Sequence, residues 1–469
     1  MSLQEKEPAV AASGGSPGRR RLTLAVVSAA QLLVVLDGTI VNIALPSAQR
    51  ALGMSDANRQ WAITAYALAF GGLLLIGGRV SGALGHRRTF VTGLIGFAAA
   101  SALAGAAVNP ETLFAARALQ GVFAAALAPA GLSLLTTTFT EPHERGRAFG
   151  VFAAVGAAGS AVGLVAGGLL TEHAGWRWCL YINVPIALLA VLGATWVPRD
   201  RPGRETGRLD VAGAVLSTAG FGAVVYGFNE AEAAGWDSPR VLGLLLGGVV
   251  LLGAFGVVEA RAPRPLLPMR VLLHRARAGA FSAIMLMFAA MFGFYLFMTY
   301  YLQANLGYSP FQAGMALIIN AVAALIGSML VAGRLHGRVP PAALIVPGLL
   351  TAAAGMLVLT RLTPQSEDVL PLYLVPALVL TGLGLGCVMP PTAALATADL
   401  DWRDVGAASA AYNAAQQLGA ALGTALFNTV AASAAVPVHG YTTALTVAFG
   451  ILLAAACLAA PLTWKRVRR

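Results

Sequence analysis

The sequence predicts an all-α integral membrane protein built from about fourteen hydrophobic helices. Three observations carry this: 58% of the 469 residues are hydrophobic, only 11% are charged, and apolar stretches of roughly 20 residues recur along the whole chain. A soluble domain carries about 25% charged residues, so a chain this short of charge cannot cover its surface in water. Lipid is the solvent that suits it.

Sliding along the chain for spans of roughly 20 apolar residues places helices near 22–46, 61–80, 89–107, 111–135, 147–171, 177–197, 210–229 and 240–258, then near 280–302, 312–333, 343–361, 371–397, 405–432 and 442–463. The run after Arg19, Arg20 and Arg21 is too long for the apolar core of a signal peptide, and reads as the first spanning helix.

Orientation follows from the basic residues, which favour the cytoplasmic loops. About 25 of the 31 lysines and arginines fall on one side of the expected topology, in both tails and in alternate loops. That pattern needs an even number of spans with both termini in the cytoplasm. The scarcity of lysine, only Lys6 and Lys465, points to GC-rich coding and a bacterial source, and so to a multi-pass protein of the plasma membrane. The loop from Asp399 to Asp404 is acidic and is an exception to the pattern.

The net charge of +11 is spread over short clusters between spans, with no polar domain large enough to present a basic face to nucleic acid. Cys179, Cys387 and Cys457 lie inside predicted spans without paired or metal-ligand spacing. Neither lysine has the context of a phosphate-binding loop, and no His-Glu-x-x-His occurs. These absences argue against a nucleotide-driven pump or a zinc protease within the chain, and the expectation is a transporter, not an enzyme, with no cofactor. Residues 263–279 are too short and too charged to span, yet carry Leu266, Leu267, Val271, Leu272 and Leu273; they read as a cytoplasmic interfacial segment. Trp176 and Trp178 suit the aromatic belt at the opposite headgroup level.

The second and tenth spans are followed by related loops, Gly78-Arg79-Val80-Ser81-Gly82-Ala83-Leu84-Gly85-His86-Arg87 and Gly333-Arg334-Leu335-His336-Gly337-Arg338. Each follows the second span of a six-span half, and parallel repeats flanking a pathway are a feature of transporters.

Asp37 lies in the first span, within Leu36-Asp37-Gly38-Thr39-Ile40-Val41-Asn42-Ile43-Ala44-Leu45-Pro46. An ionisable group inside hydrocarbon is costly, so a functional role is the default hypothesis; a structural carboxylate satisfied by neighbouring helices is the alternative. The fourth span supplies a basic partner in Arg117-Ala118-Leu119-Gln120-Gly121. In the fifth, Gly150, Gly159, Gly163, Gly167 and Gly168 place small residues on one face, where a second helix can approach closely.

These stretches together resemble the fourteen-span drug:proton antiporters of the major facilitator superfamily. The resemblance extends through Gln60-Trp61, Trp176-Arg177-Trp178 with Asn183-Val184-Pro185, Leu209-Asp210-Val211-Ala212-Gly213, Tyr301-Leu302-Gln303 and Gln416-Gln417-Leu418-Gly419. It implies a major facilitator fold: a cytoplasmic tail over 1–21, a six-helix bundle over 22–198, two additional helices over 199–260, the interfacial segment at 261–279, a second six-helix bundle over 280–464 and a tail at 465–469.

It further implies proton-coupled export of a hydrophobic or amphipathic small molecule by alternating access, with the proton as coupling ion. Asp37 would carry the proton and Arg117 would tune its affinity. The fifth-span glycines would form the rocking interface between halves. Gly78, Arg79, Gly85, Arg87 and Arg88 would belong to the conformational loop, and Asn42, Gln120, Glu230, Gln303, Asn320, Asn413 and Gln416 are candidates for lining the substrate cavity. Two positions depart from the family pattern: Gly82 stands where an Asp latch is usual, and Leu164 replaces a Pro after Gly163. Uptake or facilitated diffusion of a metabolite, and a non-transporting sensor or scaffold, are the competing readings. Substrate identity and oligomeric state are not legible in the sequence.

Overall fold

A computed structural model describes residues 17–54, 61–197, 210–262, 265–302, 306–308, 310–363, 368–432 and 437–464. Helices dominate these residues, and no strand forms among them. The first group comprises α1 (Pro17–Leu52), α2 (Trp61–Leu84), α3 (His86–Gly105), α4 (Pro110–Thr138), α5 (Pro142–His173) and α6 (Trp178–Ala194). An added pair follows, α7 (Val211–Ala234) and α8 (Pro239–Arg261). The second group comprises α9 (Arg275–Tyr300), α10 (Phe311–Leu335), α11 (Ala342–Leu359), α12 (Leu370–Ala396), α13 (Trp402–Ala432) and α14 (Pro437–Thr463).

Twelve of these helices are long and apolar enough to cross a membrane among the described residues, so the expected count of fourteen spans is not established. The two outside that class have visible reasons. Apolar α6 is short, because Ile182 interrupts it between Trp178–Tyr181 and Asn183–Ala194. Pro185 has no N–H to donate back to Tyr181, which removes a rung of the helix at that break. Helix α13 is 31 residues long but carries Asn413, Gln416 and Gln417 along its length.

Helices α1, α2, α3, α4, α5 and α6 pack mainly on one another, as do α9 to α14. The pair α7–α8 leans on α2: Thr218 Oγ1 donates to Gly72 O over 2.8 Å, and Gly71 leaves room for the ring of Phe221. Leu246, Val249, Val250 and Val257 of α8 face outward, as suits a helix bordered by lipid.

The helix ends define one basic end of the bundle. Arg20 at the start of α1 pairs with Glu144 at the start of α5 over 2.7 Å. Arg275 at the start of α9 donates to the carbonyl of Pro461 near the end of α14. The first and last helices therefore meet this end together. Residues 265–273 also lie here, and their apolar side chains differ from expectation: Leu266, Leu267 and Val271 are buried in the protein, and Leu273 alone of the four is well exposed. The segment is a packed strap with one helical turn, Met269–Leu272, and not a lipid-facing amphipath.

The two groups touch each other at this basic end in a pseudo-twofold pattern. Gly78 at the end of α2 meets Gly406 of α13; a Cβ on Gly78 would lie 2.5 Å from Gly406 O. In the matching position of the other half, Ser328 Oγ of α10 donates to Gly150 O of α5 over 2.5 Å, and Gly146 packs on the ring of His336. Ser133 with Ser409 (3.3 Å) and Thr136 with Thr397 (3.1 Å) add polar contacts between groups. The two related loops of the sequence thus clamp the fifth helix of the opposite half.

Candidate functional site

Asp37 is completely buried and Arg117 nearly so, at 0% and 1% exposure. Arg117 Nη1 donates to Asp37 Oδ2 over 2.6 Å. The other carboxylate oxygen, Oδ1, accepts from Gln120 Nε2 (3.0 Å) and from Asn183 Nδ2 (2.7 Å). Arg117 also donates to Gln120 Oε1 (2.8 Å) and Ala62 O (2.9 Å), and Gln120 Nε2 reaches Ser101 Oγ at 2.7 Å. The guanidinium lies 4.6 Å from the centre of the Tyr66 ring, a cation–π distance. Four helices besides α1 therefore close on one carboxylate: α2, α3, α4 and α6. A buried ion pair survives desolvation only when its remaining lone pairs and protons are satisfied, and this network supplies those partners.

Local sequence explains the placement. Arg117 and Gln120 are three residues apart, hence on one face of α4. The interruption of α6 sets Asn183 at the start of its second segment, facing α1. The glycines of α5 act differently from expectation. Gly159 packs on Leu32 and Val35, Gly163 on Thr39 and Leu36 O, and Gly167 on Ile40 and Ile43. All three partners lie on α1, within the same half, so this stripe seats the helix that carries Asp37. Of the five expected glycines, Gly150 reaches the other half, as Gly146 does nearer the start of α5, and a Cβ on Gly168 would meet nothing within 4 Å. The neighbouring face of α5 is the one that meets the second half: Ala158, Val162 and Leu169 line an apolar groove of about 320 Å³ against Ile318, Val322 and Leu325 of α10.

The other sequence candidates divide. Gln120 belongs to the Asp37 network and is fully buried. Asn320 is also buried: its amide donates to Leu378 O (2.9 Å) and Thr381 Oγ1 (2.8 Å), while Tyr295 OH donates to its oxygen (2.7 Å). It joins helices α9, α10 and α12. Glu230 pairs with Arg240 over 2.9 Å at the end away from the basic loops. Asn413 donates to Ser409 O, one turn back in its own helix, and with Gln416 stays half-buried. The side chain of Asn42 and the whole of Gln303 lie outside the described residues.

In the α2–α3 turn, Gly85 adopts φ 95°, which favours glycine. Arg87 donates to Ala194 O (2.9 Å) and Thr195 O (2.8 Å), capping the end of α6. Arg88 is exposed beside it, and Arg79 is half-buried. Gly82 carries no carboxylate, and the nearby Gly78 meets the Gly406 backbone of α13. Sequence reasoning missed Asn183, Ser101 and Tyr66 as members of the Asp37 site; Asn183 carried a signal, as a polar residue beside a helix-breaking proline within an apolar run.

Residues 27–424 match the family model described as Major Facilitator Superfamily. The chain belongs to the major facilitator superfamily. Among curated members, it is 54% identical over 465 residues to the puromycin resistance protein pur8 of Streptomyces alboniger, covering 96% of this chain and 92% of that one. It is 39% identical to the cephamycin export protein CmcT of Amycolatopsis lactamdurans, covering 87% and 85%. The human organic anion transporter MFSD10 shares the fold at TM-score 0.68 and 14% identity, over 94% of this chain and 99% of that structure. The two six-helix groups are thus those of a superfamily member, and the Asp37 network sits within the first. A major facilitator chain is a transporter, not an enzyme.

Proposed function

We propose that this major facilitator protein exports hydrophobic or amphipathic small molecules, antibiotics among them, in exchange for protons across a bacterial plasma membrane. The observation that carries the reading is Asp37: a fully buried carboxylate whose charge is matched by one guanidinium. The names of the relatives, puromycin resistance and cephamycin export, favour drug export as the direction.

In this reading the Arg-rich end faces the cytoplasm, with both termini there, and its closure leaves Asp37 to be reached from outside. A proton on Asp37 cancels the ionic bond to Arg117. Arg117 keeps Ala62 O, Gln120 Oε1 and the Tyr66 face, so the cation stays satisfied while α1 is released from α4. Asn183 Oδ1 has no hydrogen-bond partner although buried. It can accept the new O–H of a protonated Asp37, so the same amide serves both protonation states. Rocking at the α5–α10 groove then exposes the opposite side, where the proton leaves and drug binds.

Reconstituted vesicles with an imposed pH gradient test this, with puromycin as the first probe. Gradient-driven accumulation that is lost in Asp37→Asn is expected. Movement that ignores the gradient, or that survives Asp37→Asn unchanged, would replace antiport by facilitated diffusion.

A further inference from the structure

Asp210 and Gly213 play no part in the Asp37 site, yet with Glu259 they bring a second pair of carboxylates together. Asp210 caps α7, its Oδ1 accepting from Gly213 N at 2.9 Å. Glu259, near the end of α8, is only 2% exposed, and its Oε2 accepts from Leu267 N at 3.0 Å. The two remaining oxygens, Asp210 Oδ2 and Glu259 Oε1, are buried without any hydrogen-bond partner. Both lie against Gly213. The point a Cβ on Gly213 would occupy lies 2.9 Å from Asp210 Oδ2 and closer still to Glu259 Oε1. Glycine is therefore needed at the third position after Asp210 to let Glu259 in.

Two ionised carboxylates in this position repel, and each would leave a buried acceptor unmade. An unsatisfied buried acceptor is destabilising, more so when charged, and native structures hold few of them. The groups that act on Glu259 are Asp210 from α7, Arg79 from the end of α2 by its charge, and the backbone N–H groups of Leu266 and Leu267. Arg79 makes no hydrogen bond with either free oxygen. Among the described residues it is the guanidinium whose charge acts on Glu259, and both free oxygens lack a donor. A proton supplies one.

We infer that Asp210 and Glu259 together bind one proton, held between Oδ2 and Oε1. Protonated on one partner, the pair donates its O–H to the other and joins the start of α7 to the end of α8. Its loss leaves like charges facing each other beside Arg79, in the loop that contacts α13. This is a proton site separate from Asp37, built from the two helices added between the six-helix groups.

The full-length protein in lipid nanodiscs, studied by infrared spectroscopy at neutral pH, tests this through the carbonyl stretch of a protonated carboxyl group. The wild type, Glu259→Gln, Asp210→Asn and Asp37→Asn are compared, and protons released on a step to alkaline pH are counted with an indicator dye. The expected result is loss of a protonated-carboxyl signal, and of one released proton per molecule, in Glu259→Gln and in Asp210→Asn. Each amide can donate where the shared proton did, so folding is retained, and either variant alone suffices. An unchanged signal and count in folded Glu259→Gln and Asp210→Asn overturns the proposal. So does a wild-type signal that disappears on adding sodium, which would make the pair a cation site. Failure of the Asp37 reading shows separately, as gradient-driven transport surviving in Asp37→Asn.

Discussion

Asn183 Nδ2 donates to Asp37 Oδ1 across 2.7 Å, from the point where α6 is interrupted. The amide therefore orients a carboxylate that the sequence alone pairs with Arg117. Replacing Asn183 by Ala removes one of the three donors to Asp37 and leaves a buried acceptor less satisfied, a cost of about 1–3 kcal/mol. Gradient-driven drug export in vesicles is expected to fall by at least about tenfold, with the protein still present in the membrane. Asn183→Asp, which adds a second carboxylate against the first, is expected to be worse. Normal export in both variants would remove Asn183 from the mechanism.

The two halves approach most closely at the basic end where Gly78 meets Gly406. Gly78→Ala or Gly406→Ala drives a methyl group into the opposing backbone, an overpacking cost of about 1–3 kcal/mol. Because that cost is confined to the closed contact, the equilibrium moves toward opening at this end by about 5- to 100-fold. Labelling of a cysteine introduced at Ser409, which faces Ser133 in the closed contact, should speed up accordingly. A Gly82→Asp variant tests the same contact from the other side, asking whether a carboxylate adds to a seal already made by backbone packing.

Gly163 and Gly168 of α5 are expected to differ sharply, because only Gly163 lies in the stripe that packs on α1. Gly163→Val collides with Thr39 Oγ1 and the carbonyl of Leu36, shifting the helix that carries Asp37. Thermal unfolding in detergent should register a loss of about 1–3 kcal/mol, and export should fail. Gly168→Ala meets open space and should stay within about 0.5 kcal/mol of wild type. Equal sensitivity at both positions would argue that the stripe is read by lipid or by a second helix instead of by α1.

His336, just past α10, is buried against Gly146. Burial, then the charge of Arg145, then His143, pull its imidazole down to about 4 from an ordinary 6.5. The ring is therefore neutral in the folded protein. The folded state binds fewer protons than the unfolded one between those values, so stability is full above about pH 6.5 and declines as pH falls toward about 4. The full effect is worth about 3 kcal/mol. Unfolding midpoints measured across that window should drop in wild type and drop less in His336→Gln. Parallel profiles would place the acid sensitivity elsewhere.

Much of this architecture was legible because hydrocarbon imposes a simple grammar. A spanning helix must be long and apolar, and a charge within it must be matched. That is why α2, α4 and α8 could be read from hydropathy, and why Asp37 and Arg117 stood out. The grammar says nothing of rotation about each helix axis. Asn320 and Gln120 are as polar as a cavity-lining residue would be, yet both are buried in hydrogen bonds between helices. Leu266 and Val271 looked like a lipid-facing surface and instead pack inside.

The sequence by itself determined the solvent, the helices, the superfamily and the presence of a carboxylate that hydrocarbon cannot leave unmatched, because transfer free energy depends on residue type and segment length. Tertiary structure decided which groups complete the Asp37 site and which glycines hold halves together or seat one helix on another. It also decided that Asp210 and Glu259 both lie against Gly213. Those outcomes depend on the azimuth and depth at which separate helices pack, to which no local property of the chain is tied.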